Sequence, residues 1–178
     1  ECCFYENLPV LGLDLASIRE FLEADDEKLF SRYLLLPEKP EADQREKSIN
    51  EMMRDHGFDK TTAALLYEYN QAEPITLRKG TSGTGASCMF LEDKLCSIYQ
   101  ARLYTCGLYI CTMADKLSIL QEQIVRQGIW HSYFQLGWVA ESEIGHNPFL
   151  KGGSYSRILL SAFDFDLTSA LEKLFFYF

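Results

Sequence analysis

Six cysteines, at positions 2, 3, 88, 96, 106 and 111, are the residues whose type and spacing most directly suggest chemistry. Cys88, Cys96, Cys106 and Cys111 fall in one short stretch, while residues 4–87 contain none. Thiolate sulfur is the soft donor that zinc and iron–sulfur clusters favour, and a turn-rich chain lets separated donors converge on one point. The intervals between them are seven, nine and four residues, with no Cys-x-x-Cys pair, so zinc-ribbon arithmetic does not apply. Two blander readings also fit this spacing. Cysteine is a common core residue, and all six thiols can be structural. A disulfide framework is the other, although six cysteines in 178 residues fall well under the roughly 8–10% of stapled secreted scaffolds.

The residues around the cysteines favour the metal reading. Cys88, Phe90, Leu91, Cys96, Ile98, Tyr99, Arg102 and Cys106 follow the order C-x-F-L, a turn, C-x-I-Y-x-x-R, C. This resembles the zinc- or iron-chelating cysteine-cluster family of the CxxCxxCC type, related to the flagellin lysine N-methylases. That family opens with C-x-x-C-x-x-C-C and a helix of the form l-x-x-x-D-x-x-x-I. Cys2-Cys3, Val10, Asp14 and Ile18 look like the end of that opening. The resemblance covers about the first 110 residues. Leu103 stands where the family has proline, Gly107 where it has arginine after the third cysteine, and Ile110 where it has a second proline.

The resemblance implies a centre of zinc or an iron–sulfur cluster held by Cys88, Cys96 and Cys106, with Cys2 or Cys3 as a further ligand. Neighbouring side chains diverge on strand and helix alike, so both reach one ion only through a sharp turn, and the sequence does not choose between them. Cys111 is read as an incidental thiol, with a substitute ligand as the alternative. Four thiolates around Zn²⁺ or a [4Fe–4S]²⁺ core leave a net charge near −2, and Arg102 is expected to offset it from beside the centre. Phe90 and Tyr99 are expected to pack around it. The expected function is therefore a metal-binding protein. The alternative is an S-adenosylmethionine-dependent protein-lysine N-methylase with a supporting metal cluster, so enzymatic activity stays open.

The elements that must position these residues are mostly helical. Asp14 before Leu15, Ile18, Phe21 and Leu22 predicts an N-capped amphipathic helix. Asp25 and Asp26 open a second, stopped by Pro37, and 38–44 reads as an exposed linker. Ile49, Met52, Met53 and His56 mark a third helix ended by Gly57, and Asp59 caps a fourth. Residues 75–78, 88–91 and 95–99 read as short strands, the last two joined by a turn at 92–94. Helical period returns from Ala114 past Gly128 to Phe134. A loop follows at 145–153, and Asp166 caps a last helix. The expected fold class is α+β, mainly α: one helical domain over 1–178 with a small cysteine-bearing strand and turn region in the middle. The cysteine-cluster region is 1–112 and the helical C-terminal part 113–178.

At this length a domain buries roughly 70% of its unfolded surface, so the cysteines are not needed as staples. The net charge of −9 disfavours nucleic acid, whose binding starts from a basic patch. It also disfavours an anionic membrane surface. No apolar run approaches the ~20 residues of a membrane span, and no signal peptide opens the chain. Both ends read as cut from something longer. A cytoplasmic protein is expected, with a metal ion as its partner and any protein partner left open. Gly80-Thr-Ser-Gly83-Thr-Gly85 lacks the ending of a phosphate loop and reads as a flexible lead-in to Cys88. Glu143-x-x-His146 has the spacing of a di-iron helix, but Gly145 and Pro148 argue against a helix there. His56 and His131 are read as structural.

Overall fold

The computed structural model describes residues 8–80, 87–108 and 115–151. They form a mainly helical α+β structure. The helices are α1 (Gly12–Phe21), α2 (Asp26–Arg32), α3 (Ala42–His56), α4 (Lys60–Gln71), α5 (Tyr104–Leu108) and α6 (Asp115–Gln135). Strands β1 (Leu34–Leu35) and β2 (Thr76–Leu77) pair antiparallel, as do β3 (Leu91–Glu92) and β4 (Leu95–Cys96).

Local chemistry explains most helix ends. The Asp25 carboxylate accepts from the Lys28 amide at 2.8 Å, and Asp59 accepts from the amides of Thr61 and Thr62. Gly57 ends α3 at φ 70°, a left-handed cap that costs glycine little. Three boundaries differ from the sequence reading. Asp14 is not the N-cap of α1: Leu11 is, and Asp14 reaches back from the third helical position to bond the Leu11 amide at 2.9 Å. Helix α2 ends at Arg32, well before Pro37, because Leu34 is drawn into a strand pair with Leu77. The expected linker is shorter, since α3 already begins at Ala42.

The β3–β4 hairpin turns at Asp93 and Lys94, both at positive φ (47° and 67°), as a type I′ turn requires. The expected strand at 88–91 is mostly a turn: the Leu91 amide bonds the Cys88 carbonyl at 3.0 Å. Helix α5 escaped the sequence reading because its five residues carry too little periodicity. The helix expected from Asp166 lies outside the described residues.

Two apolar groups form the bulk of the core. One gathers Leu11, Ile49, Ala63, Tyr67, Ile129, Trp130 and Tyr133 between α3, α4 and α6. The other gathers Val10, Leu15, Ile18, Leu29, Leu34, Ile75, Phe90, Ile98 and Leu103 around the strands. Helix α1 lies between them and packs most extensively on α6. Glycine permits that approach from both sides. A Cβ on Gly12 would lie 2.2 Å from His131 Nδ1 and 2.8 Å from its backbone carbon, and one on Gly128 would lie 2.7 Å from a Leu11 methyl. His131 is structural, as expected: buried, stacked between Phe134 and Phe149, and pushed down to about 4 by burial. His56 is exposed at the end of α3.

Two outcomes follow from this contact. Gly12→Ala should destabilise the chain by about 1–3 kcal/mol through overpacking, read as a lower urea midpoint at unchanged slope. His131 is held neutral in the folded state, so the unfolded chain binds its proton more readily. Stability should therefore fall as pH drops from about 6.5 toward 4. His131→Gln should flatten that part of the curve in denaturant titrations at several pH values.

Candidate functional site

The cysteine region is built outward from β2. Lys79 forms an antiparallel bridge with Cys88, and the Gly80 amide bonds the Ser87 carbonyl at 3.0 Å. From Cys88 the chain turns into the hairpin, where Leu91 faces Cys96 across the ladder. Leu91 is thus near both thiol-bearing residues: its Cα lies about 5 Å from that of Cys96 as a paired residue and under about 7 Å from that of Cys88 across a turn. The Ser97 amide and hydroxyl both donate to the Phe90 carbonyl, at 2.8 and 3.1 Å, and hold the outgoing strand over the turn. A 3₁₀ turn at Tyr99–Ala101 leads to α5, where the Cys106 amide bonds the Leu103 carbonyl.

Cys88, Cys96 and Cys106 are all half-buried, and all three pack against the same apolar group, the one containing Phe90, Ile98 and Leu103. Phe90 stacks on Tyr33 with ring centroids 5.6 Å apart. Leu103 is 1% exposed, so the departure from proline supplies a core side chain. Phe90 is buried in the apolar group that the three cysteines abut. Tyr99 is exposed, and Arg102, also exposed, lays its guanidinium 5.0 Å from the Tyr99 ring centroid. The contact found for Arg102 is thus an aromatic face. Cys2, Cys3 and Cys111 lie outside the described residues. Among the described residues, no group of three or more His, Cys, Asp or Glu side chains is gathered closely enough to hold a metal ion. The donors fit a thiolate centre in kind. Cys88, Cys96 and Cys106 are all among the described residues, so the structure does not bring these three thiols together as a ready metal site.

Asp14 joins this region to the rest of the molecule. It is 3% exposed, and while one carboxylate oxygen takes the Leu11 amide, the other takes the Tyr104 amide at 2.9 Å. One anion thus serves the first turns of α1 and α5, where helix dipoles favour negative charge. Beside it, the Thr105 hydroxyl donates to the Pro9 carbonyl at 2.8 Å.

A second polar constellation lies under α3 and α4. Glu68 is fully buried; Arg45 Nη2 donates to one of its oxygens at 2.9 Å, and His146 Nε2 lies 2.9 Å from the other. Arg45 also donates to the Glu143 carbonyl at 2.8 Å and covers the Trp130 ring. Arg45, Glu143 and His146 line an open groove of about 680 Å³, together with Glu46, Asn50 and Lys60. Glu143-x-x-His146 lies in 3₁₀ and turn structure. The Glu143 carboxylate caps the Ala140 amide at 2.7 Å, while His146 turns inward to Glu68. Sequence reasoning missed this network because Glu68 sits in an ordinary helical pattern, and its partners lie 23 and 78 residues away.

The chain is thus a mainly helical α+β protein with a cysteine-bearing hairpin region. No protein-family model matches it, and no curated protein or solved structure matches it at a significant level.

The Arg45–Glu68 pair carries a prediction. Glu68→Ala removes the fully buried carboxylate, leaves Arg45 the more distant Glu143 carboxylate at 3.8 Å, and should cost about 3–5 kcal/mol. The double variant Arg45→Met/Glu68→Leu should recover most of that loss in chemical denaturation. Equal losses in the single and double variants would contradict this account.

Proposed function

We propose that this is a metal-binding protein that holds zinc or an iron–sulfur cluster through Cys88, Cys96 and Cys106, completed by sulfur from Cys2 or Cys3. The observation that supports the reading is that three cysteines from a strand-end turn, a hairpin and a short helix all abut one apolar group. Chain connectivity supports the fourth donor. Pro9, bonded to Thr105 next to Cys106, follows Cys3 by only six residues, a tether of at most ~20 Å. The resemblance of the 88–106 motif to the chelating family points the same way.

When bound, the centre would supply either a structural crosslink or a redox cluster; the four-sulfur donor set suits both. A reducing, cytoplasmic setting is the compartment in which such thiols stay available. No helix among the described residues is long and apolar enough to cross a membrane, and the acidic balance speaks against nucleic acid as partner. The methylase alternative rests on the family resemblance alone, and titration with S-adenosylmethionine tests it directly.

The deciding measurement is metal, sulfide and visible-absorption analysis of the full chain purified anaerobically. Brown protein containing iron and sulfide identifies a cluster, whereas colourless protein with about one zinc identifies a zinc site. Cys88→Ser, Cys96→Ser or Cys106→Ser should each lower the metal content. Metal-free protein whose cysteines all react freely with an alkylating reagent would overturn the proposal.

A further inference from the structure

We propose that the groove beside the Arg45–Glu68–His146 network binds a short peptide, about three residues long, with both termini free. The proposal is independent of the metal reading above. The groove holds about 680 Å³, within the range of small-ligand sites. Three elements line it: α3 brings Asp43 and Glu46, the first turn of α4 brings Lys60, and the turns after α6 bring Glu143 and His146.

Charge decides the class of ligand. Asp43, Glu46 and Lys60 are exposed, and none of them is in an ion pair among the described residues. Opposite charges therefore line one concavity without meeting. A simple anion would sit among Asp43, Glu46 and Glu143, and a simple cation would meet Lys60 and Arg45. A metal ion is no better served, since no three donor side chains of the described residues gather to hold one. A ligand that carries both charges, held apart, satisfies both walls.

The spacing sets its length. Arg45 bonds Glu68, which lies just over two turns along α4 from Lys60, or about 12 Å. Asp43 and Glu46 flank Arg45 on α3, so the acidic end of the groove is about that far from Lys60. An extended chain advances ~3.3–3.6 Å per residue, and three residues bring an ammonium to Asp43 and Glu46 and a carboxylate to Lys60. The backbone between them needs polar partners. Arg45 lines the groove at only 8% exposure; Nη2 alone makes its hydrogen bonds, and Nε has no partner. His146 commits one ring nitrogen to Glu68 and keeps the other. A guanidinium with donors to spare and an imidazole nitrogen are the partners that peptide C=O and N–H groups require.

The test titrates trialanine into the full chain by isothermal titration calorimetry, beside N-acetyl-trialanine, trialanine amide and free alanine. Trialanine supplies two termini and a backbone, which is all the proposal calls on. It should bind saturably, and capping either terminus should weaken it about fivefold, as losing one exposed ion pair does. Asp43→Asn/Glu46→Gln should weaken trialanine at least as much and leave the acetylated peptide unchanged. Lys60→Gln should do the same with respect to the amide. The capped peptides probe both pairings without altering the protein, so they decide the matter even where a variant melts early. Alanine, too short to reach both walls, should bind no better than the capped peptides. No saturation by trialanine up to about 10 mM, or an affinity indifferent to both caps, overturns the proposal.

Discussion

The Asp14 carboxylate is the contact through which the two halves of the described structure constrain each other. A single buried anion accepts the leading amide of α1 on one oxygen and the leading amide of α5 on the other. Each helix start would otherwise present unsatisfied donors to an apolar interior. Joining them at one carboxylate removes two such donors and fixes an angle between elements remote in sequence. The Pro9–Thr105 bond and the Pro9–Thr76 bridge extend this junction into the first strand pair. Cys106 follows that junction directly, on α5.

Close packing of α1 on α6 is the complementary constraint. Gly12 and Gly128 let the helices approach until a His131 ring and a Leu11 side chain fill the space a methyl group would need. The same approach buries His131 against Phe134 and Phe149, so its neutral form is part of the packing. Between Gly128 and His131, Trp130 donates its indole N–H to the Glu68 carbonyl at 2.8 Å and lies under the Arg45 guanidinium. The aromatic core and the buried Arg45–Glu68–His146 network are therefore one assembly, tying the turn after α6 back onto α3 and α4. The network lines an open groove whose lining includes no cysteine. Each buried charge in the network needs its partner, whereas the pair as a whole is replaceable by apolar side chains.

Much of the helical framework was legible beforehand, because the signals are local. Asp25 and Asp59 cap the helices they precede, Gly57 ends α3 in the left-handed region, and the alternation of turn and β-prone residues located the hairpin. The misreadings come from non-local effects. Asp14 looked like a cap and proved to be a third-position residue with a distant second partner. Helix α2 ended early because Leu34 gained a strand partner 43 residues on (77 − 34).

For the candidate site the division is similar. Residue type marks Cys88, Cys96 and Cys106 as soft donors, while the expectation that Arg102 offsets their charge came with the family resemblance and not from the spacing. That these three cysteines border one apolar group and that Glu68 is locked between Arg45 and His146 were decided by the tertiary structure alone. Contacts between residues tens of positions apart depend on the path of the whole chain, and periodicity, which reports only what lies within a few turns of a residue, carries no record of that path.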